Sequence, residues 1–225
     1  MNNPIYDIEE DPDNANVLYL GTDYGVYVTI DQGKTWANFS SAAPNVIIRD
    51  LAIQKRDRDL VVGTYGRGIY IADIGPIKEF KPETFKKDAY LFDVENTIRW
   101  NRFERRGETL GEFAKADNPP IGANIYYYLK AEAKSVKLTI KDLEGNLILE
   151  INGSNKKGLQ KTFWNLSKTA APGQQPPGGG FGGGGGRGGR GAAQVDSGVY
   201  KVTLNVDGKD IETKKLTVSP DPLFK

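Results

Sequence analysis

Residues 5–28 run Ile5-Tyr6-Asp7-Ile8, then Asp11-Pro12-Asp13-Asn14, then Val17-Leu18-Tyr19-Leu20-Gly21-Thr22, then Gly25-Val26-Tyr27-Val28. Residues 48–71 restate that order as Ile48-Arg49-Asp50-Leu51-Ala52-Ile53, Arg56-Asp57-Arg58-Asp59, Leu60-Val61-Val62-Gly63-Thr64 and Gly68-Ile69-Tyr70-Ile71. Asp7 maps to Asp50 and Tyr27 to Tyr70 at a spacing of 43, and Gly21 maps to Gly63 at 42. The apolar runs are short, rich in Val, Ile, Leu and Tyr, and bounded by Asp, Asn, Gly and Pro, which predicts strands joined by tight turns. Helical periodicity is absent. A period of about 40–45 residues built this way is the signature of a propeller blade. Chance similarity between two hairpins is the competing reading, and the number of positions aligned in order weighs against it.

Between the copies lies Thr29-Ile30-Asp31-Gln32-Gly33-Lys34-Thr35-Trp36. A turn is the physical expectation: Gly33 can take positive φ, the Asp31 carboxylate can accept backbone N–H groups, and Trp36 can bury a large ring between strands. The stretch resembles the Asp box of bacterial-neuraminidase-repeat propellers, Ser/Thr-x-Asp-x-Gly-x-Thr-Trp, and Thr29, Asp31, Gly33, Thr35 and Trp36 match all five positions. In that family the box is a structural corner, so the resemblance implies a structural rather than a catalytic Asp31. The wider pattern over residues 4–75, including Thr64-Tyr65-Gly66-Arg67-Gly68, is similar to sortilin-like and photosystem-assembly-factor-like propellers. It is specific for fold and not for reaction.

Two blades cannot close a ring of the usual four to eight. The expectation is therefore a C-terminal piece of a longer protein whose partners are further blades of the same protein, with Met1 not the natural start. Residues 76–117 read as a charged connector: Pro76 and Pro82 interrupt the β pattern, and Tyr90, Leu91, Phe92 and Trp100 are expected to pack on adjacent domains. From Asn118 the β pattern returns, with strands expected over 123–129, 136–141, 147–151, 160–165, 199–206 and 211–218. Alternation in Val136, Leu138, Ile140 and in Tyr200, Val202, Leu204 marks one buried face. About seven short strands in roughly 100 residues fit an immunoglobulin-like sandwich over 118–219. The segments around Trp164-Asn165 and Ser197-Gly198-Val199-Tyr200 resemble C-terminal Ig-like domains of the flagellar hook-cap type. The expected fold class is thus all-β, a partial propeller at 1–75 followed by that sandwich.

Composition removes much chemistry. The 225 residues contain no Cys and no His, so thiol nucleophiles, His-based triads and zinc sites of the usual N/S type are excluded within this chain. Lys plus Arg number 30 against 29 Asp plus Glu, and a net charge of +1 gives no push toward nucleic acid or anionic membrane. No apolar run approaches the roughly 20 residues of a membrane span. Eleven of the 27 glycines fall in 178–191. The surrounding 172–195 stretch is expected to form a disordered loop, because such a composition cannot offset its ordering entropy by burial. Its Arg187 and Arg190 are too few to make an RNA-binding tail the favoured reading.

The candidate contact surface is the loop pair Asp23-Tyr24 and Tyr65-Gly66-Arg67, with Asp23, Tyr24, Tyr65 and Arg67 as possible face residues and a plain turn role as the alternative. Arg49 and Asp50 are expected in blade-to-blade hydrogen bonds. Asp11, Asp13 and Asn14 need no metal to form a turn. No catalytic set, metal site or cofactor is assigned. The resemblance implies a secreted or periplasmic, non-catalytic portion that binds protein or glycan. The rival is a sialidase-like glycoside hydrolase whose catalytic residues lie mainly in other blades.

Overall fold

The computed structural model describes residues 3–39, 43–81, 83–101, 120–168 and 194–223. Nearly all of its regular structure is β, with one short helix. The chain forms two compact units, residues 1–86 and 87–225.

In the first unit, strands β1 (Ile5–Glu10), β2 (Leu18–Thr22), β3 (Gly25–Thr29) and β4 (Ala37–Asn38) make an antiparallel sheet in chain order. Strands β5 (Ile48–Gln54), β6 (Asp59–Thr64) and β7 (Ile69–Asp73) make a second one. The repeat is present in the register itself. Asp7 pairs with Gly21 and Asp50 with Gly63, and each copy has an irregularity at the same place, between Ile5 and Asp7 and between Ile48 and Asp50. One core joins the two sheets: Tyr19 and Val26 from the first meet Ile48, Leu51, Leu60 and Val62 from the second. At Gly21 the sheets approach so closely that an added Cβ would lie 2.8 Å from Ile48 Cγ2. The Asp7 carboxylate spans the gap and accepts the Leu51 N–H at 2.6 Å.

Helix α1 (Gly75–Glu79) follows, with Pro76 in its first turn, where a missing N–H costs nothing. It closes the first core with Ile74 and Ile77. Its Lys78 is almost fully buried against Asp11, at 3.6 Å, and donates to Asp13 at 3.0 Å.

The second unit begins inside the expected connector. Strands β8 (Ala89–Leu91) and β9 (Thr97–Arg99) are paired elements, and Leu91 and Val94 belong to its core. Strands β10 (Ala123–Leu129), β11 (Val136–Lys141), β12 (Leu147–Asn152), β13 (Gly158–Trp164), β14 (Gly198–Val206) and β15 (Lys209–Pro220) complete it. The orders are β13-β10-β8 and β12-β11-β14-β15-β9, with β15 and β9 parallel. Both sheets contribute to one core: Ile125, Tyr127 and Trp164 from the first, Leu138, Val202 and Leu204 from the second.

These boundaries correct the expected ones. The 76–117 connector is not a separate irregular segment over its described part, because 76–86 completes the first unit and 87–101 the second. Trp100, expected to pack, is 43% exposed. Residues 102–117 of the expected connector and 172–193 of the expected loop lie outside the described residues. Gln194 and Val195, placed in that loop by composition, are instead tied in: Gln194 bridges to Ser167, and Val195 is fully buried.

Candidate functional site

The turns joining β2 to β3 and β6 to β7 use the same device. Thr22 donates its hydroxyl to the Gly25 carbonyl at 3.0 Å, and Thr64 donates to the Gly68 carbonyl at 2.6 Å. Each hydroxyl closes its own turn, and the intervening side chains are left to project. Tyr24 and Tyr65 are well exposed there.

A side-chain cluster forms where these turns meet the starts of β1 and β5. The Arg49 guanidinium lies 4.5 Å from the Tyr6 ring centre and 5.2 Å from that of Tyr65. Both distances fall within the range in which an aromatic face attracts a cation. A hydrogen bond to the Asp23 carboxylate, followed by slight desolvation, raises the Tyr6 hydroxyl above the usual phenol value. The phenol is therefore held protonated. The cluster offers a planar cation, an exposed aromatic face at Tyr65 and a half-buried carboxylate at Asp23, which suits stacking and hydrogen bonding rather than nucleophilic attack.

Of the four expected face residues, Asp23 and Tyr65 join this cluster. Tyr24 stands exposed on its turn. Arg67 is exposed between Gly66 and Gly68, both at positive φ, and no contact joins it to the stack among the described residues. Arg49, expected in hydrogen bonds between sheets, stacks instead, and Asp50 is exposed while Asp7 makes the bridging bond. Tyr6 is not among the face residues expected from the sequence. Its signal was in the repeat, since Tyr6 and Arg49 each precede the repeated Asp.

The Thr29–Trp36 turn is tied by its own side chains. Asp31 accepts the Thr35 N–H at 2.9 Å, the Thr35 hydroxyl at 2.6 Å and the Thr29 hydroxyl at 2.7 Å. Gly33, at φ +83°, donates its N–H to the Thr29 hydroxyl oxygen at 3.0 Å, and Trp36 Nε1 donates to the Gly33 carbonyl at 3.0 Å. Trp36 thus lies half-buried over its own turn. The three bonds that Asp31 accepts from Thr29 and Thr35 tie it to its own turn.

The Thr35 hydrogen bonds, then the Thr29 one, hold Asp31 at a pKa of about 2, below the ordinary 3.8. A carboxylate depressed in the folded state adds stability above the unfolded value and loses it as pH falls through the folded one. Asp31→Ala should therefore destabilise the protein at neutral pH, and the difference from wild type should shrink as pH drops from about 4 toward 2. Urea unfolding of both proteins at several pH values checks this, and a pH-independent difference would refute it.

Among the described residues no group of three or more Asp, Glu, His or Cys is placed to hold a metal. Asp11 instead caps its turn by accepting the Asp13 and Asn14 N–H groups at 2.9 and 3.1 Å. No helix of the described residues is long and apolar enough to cross a membrane.

No family model matches the chain, and no curated protein matches it. Among solved structures, the extracellular domain of BT4673 from B. thetaiotaomicron is 13% identical, covering 98% of this chain and 26% of that one at a TM-score of 0.27. CopC from Methylosinus trichosporium OB3b is 14% identical over 59% of this chain and 94% of its own, at 0.28. Dimeric latent PorU from Porphyromonas gingivalis is 11% identical over 97% and 20%, at 0.32. The chain spans about a quarter of the BT4673 domain.

Proposed function

We propose that this chain is a non-catalytic binding or scaffolding portion of a secreted or periplasmic bacterial propeller protein, and that it recognises protein or glycan through the Tyr6–Asp23–Arg49–Tyr65 cluster. The observation that carries the reading is the Arg49 guanidinium stacked beside two tyrosine rings at one end of a repeated sheet. Loops at the end of a rigid β scaffold are where binding residues concentrate. Arg and Tyr are the side chains that dominate recognition surfaces.

The propeller reading is supported by the shared register, the shared bulge position and the Asp7–Leu51 bridge between sheets. The five-position turn match supports the Asp box. For the second unit, an Ig-like sandwich is supported by the buried Trp164 and by Tyr200, whose hydroxyl donates to the Asp196 carbonyl four residues upstream at 2.7 Å. A tyrosine bonding back in this way is a recurrent corner of such sandwiches. The hydrolase alternative gains nothing from the cluster, because a glycosidic Tyr nucleophile needs an activated phenol and Tyr6 is shifted the opposite way.

Panels of glycans and of soluble peptides, read by calorimetry, test the proposal. Arg49→Ala should weaken the affinity of any binder found by at least about tenfold, whereas Arg67→Ala should change it little. Equal binding by Arg49→Ala and wild type would sink the reading, as would release of cleaved sugar from the glycan panel.

A further inference from the structure

The second unit carries a line of like charge that its own residues do not neutralise. Strands β11, β14 and β15 lie side by side, with Lys141 opposite Lys201 and Lys201 opposite Lys215. Their chain neighbours Ile140, Val202 and Leu216 are fully buried. The lysines therefore share the outer face of the sheet, where Lys141 and Lys215 are exposed and Lys201 is half-buried. The row crosses two strand spacings, about 10 Å. Like charges directly opposite each other on neighbouring strands destabilise a sheet, and here two such pairs stand in line.

Among the described residues none of the three makes an ion pair, and the Lys201 ammonium donates instead to the Leu143 carbonyl at 3.5 Å. Lys137, on the same face, is by contrast paired with Glu150 at 2.7 Å. Asp142, next to Lys141 in the chain, is committed to Asn146 through both carboxylate oxygens, at 2.7 and 2.8 Å. An arrangement that costs stability and holds no counter-charge of its own calls for an anionic partner. The neighbouring row narrows the choice. Two residues along each strand, Thr139, Thr203 and Thr213 stand in register, and the last two hydroxyls are hydrogen-bonded at 2.8 Å. Parallel rows of ammonium and hydroxyl groups suit an extended chain that bears both acids and hydroxyls. The strand spacing of about 4.8 Å is comparable with the length of one sugar unit. No residue of these two rows, nor Lys137 or Asn205 in the next, is aromatic, so the bases of a single-stranded nucleic acid have nothing there to stack on. Both sheets of this unit already pack on one core, so the outer face is not the seat of a missing sheet.

We infer that the Lys141–Lys201–Lys215 row is a docking site for an acidic polysaccharide, one whose sugars carry carboxylates. The ammonium groups meet successive carboxylates, and the threonine row meets sugar hydroxyls. The site belongs to the second unit and is distinct from the Arg49 cluster of the first, so it stands whether or not that cluster binds a ligand.

Calorimetry of the full chain with polygalacturonate, at several salt concentrations, tests the inference. Wild type should bind the polymer, and should not bind its fully methyl-esterified form, which keeps the chain and loses the charge. Lys201→Gln should weaken binding about tenfold at low salt and lower the slope of log affinity against log salt by about one. Its unfolding midpoint should equal or exceed that of wild type, because the repulsion on both sides is relieved. Lys201→Arg, which keeps the charge, should bind as wild type does, and Lys137→Gln, off the row, should change affinity little. Lys215→Gln, exposed at the end of the row, should show the same loss as Lys201→Gln and replaces it if that variant folds poorly. No binding of polygalacturonate by wild type, equal binding of the esterified polymer, or full affinity in both Gln variants of the row would overturn the inference. So would tighter binding of a single-stranded oligonucleotide or of phosphatidylglycerol vesicles, which would assign the row to nucleic acid or to a lipid surface.

Discussion

Replacing Lys78 by Met is expected to destabilise the first unit by about 3–5 kcal/mol, the usual result of stranding one member of a buried ion pair. Asp11 has no exposed side-chain surface, and its Oδ2 accepts no hydrogen bond among the described residues, so the Lys78 ammonium 3.6 Å away is its compensation. Lys78 is tied on other sides as well, by its bond to Asp13 and by the Asn14 amide donating to its backbone carbonyl at 2.9 Å. Helix α1 thereby fastens the Asp11–Asn14 turn to the core. Burial, with a smaller push from the Asp11 charge, moves the Tyr19 phenol well above its usual value, so that hydroxyl stays neutral, and it makes no hydrogen bond among the described residues. The double variant Asp11→Asn, Lys78→Met should recover most of the loss, because Asn Oδ1 can still accept the Asp13 and Asn14 N–H groups without a buried charge. Urea unfolding gives the free energies, and amide exchange should show the lost protection concentrated in residues 3–86. A single variant within about 1 kcal/mol of wild type would contradict the ion-pair argument.

The pair illustrates which parts of the molecule were legible in the residues. Strands long enough to show a period declare themselves locally, and so β10 and β11 span the residues expected for them. Strands β8 and β9 have three residues each, too few to show a period, and their partners lie far along the chain: Ala89 opposite Leu129, Thr97 opposite Val218. Nothing local marks such a segment as sheet, and its charges and nearby prolines argue for a connector. Helix α1 was hidden for a related reason, since Pro76 reads as a breaker until its first-turn position is known. In the site, exposure of Tyr24 and Tyr65 followed from turn chemistry alone. The Arg49 stack did not, because it depends on which ends of two sheets lie together. Asp50 and Asp7 are indistinguishable in sequence, and only the stacking order makes one a bridge and leaves the other open.

Trp164→Ala should be the most damaging substitution in the second unit, costing about 3–5 kcal/mol for the cavity and further for the lost ring contact. The indole is fully buried and meets Tyr200 edge-on, with ring centres 5.6 Å apart. Such pairs contribute about 0.5–1.5 kcal/mol beyond area. The indole N–H also donates to the Ser167 carbonyl at 3.0 Å. That bond closes over Leu166, a buried residue held at φ +60°, whose carbonyl accepts the Val195 N–H at 2.7 Å. A non-glycine residue in the left-handed region persists only where its surroundings over-determine it. The ring, the Leu166 turn and the Ser167–Gln194 bridge therefore act as one clasp that brings the two ends of the 169–193 segment together. Trp164→Phe separates the two contributions: it keeps most of the packing and drops the N–H, leaving the Ser167 carbonyl short of a donor at about 1–3 kcal/mol. Amide exchange at Val195 should rise in both variants, while exchange within β11 and β14 should rise appreciably only with Ala. If Trp164→Phe left Val195 protection unchanged, the hydrogen bond would have no part in the clasp, and packing alone would hold the turn.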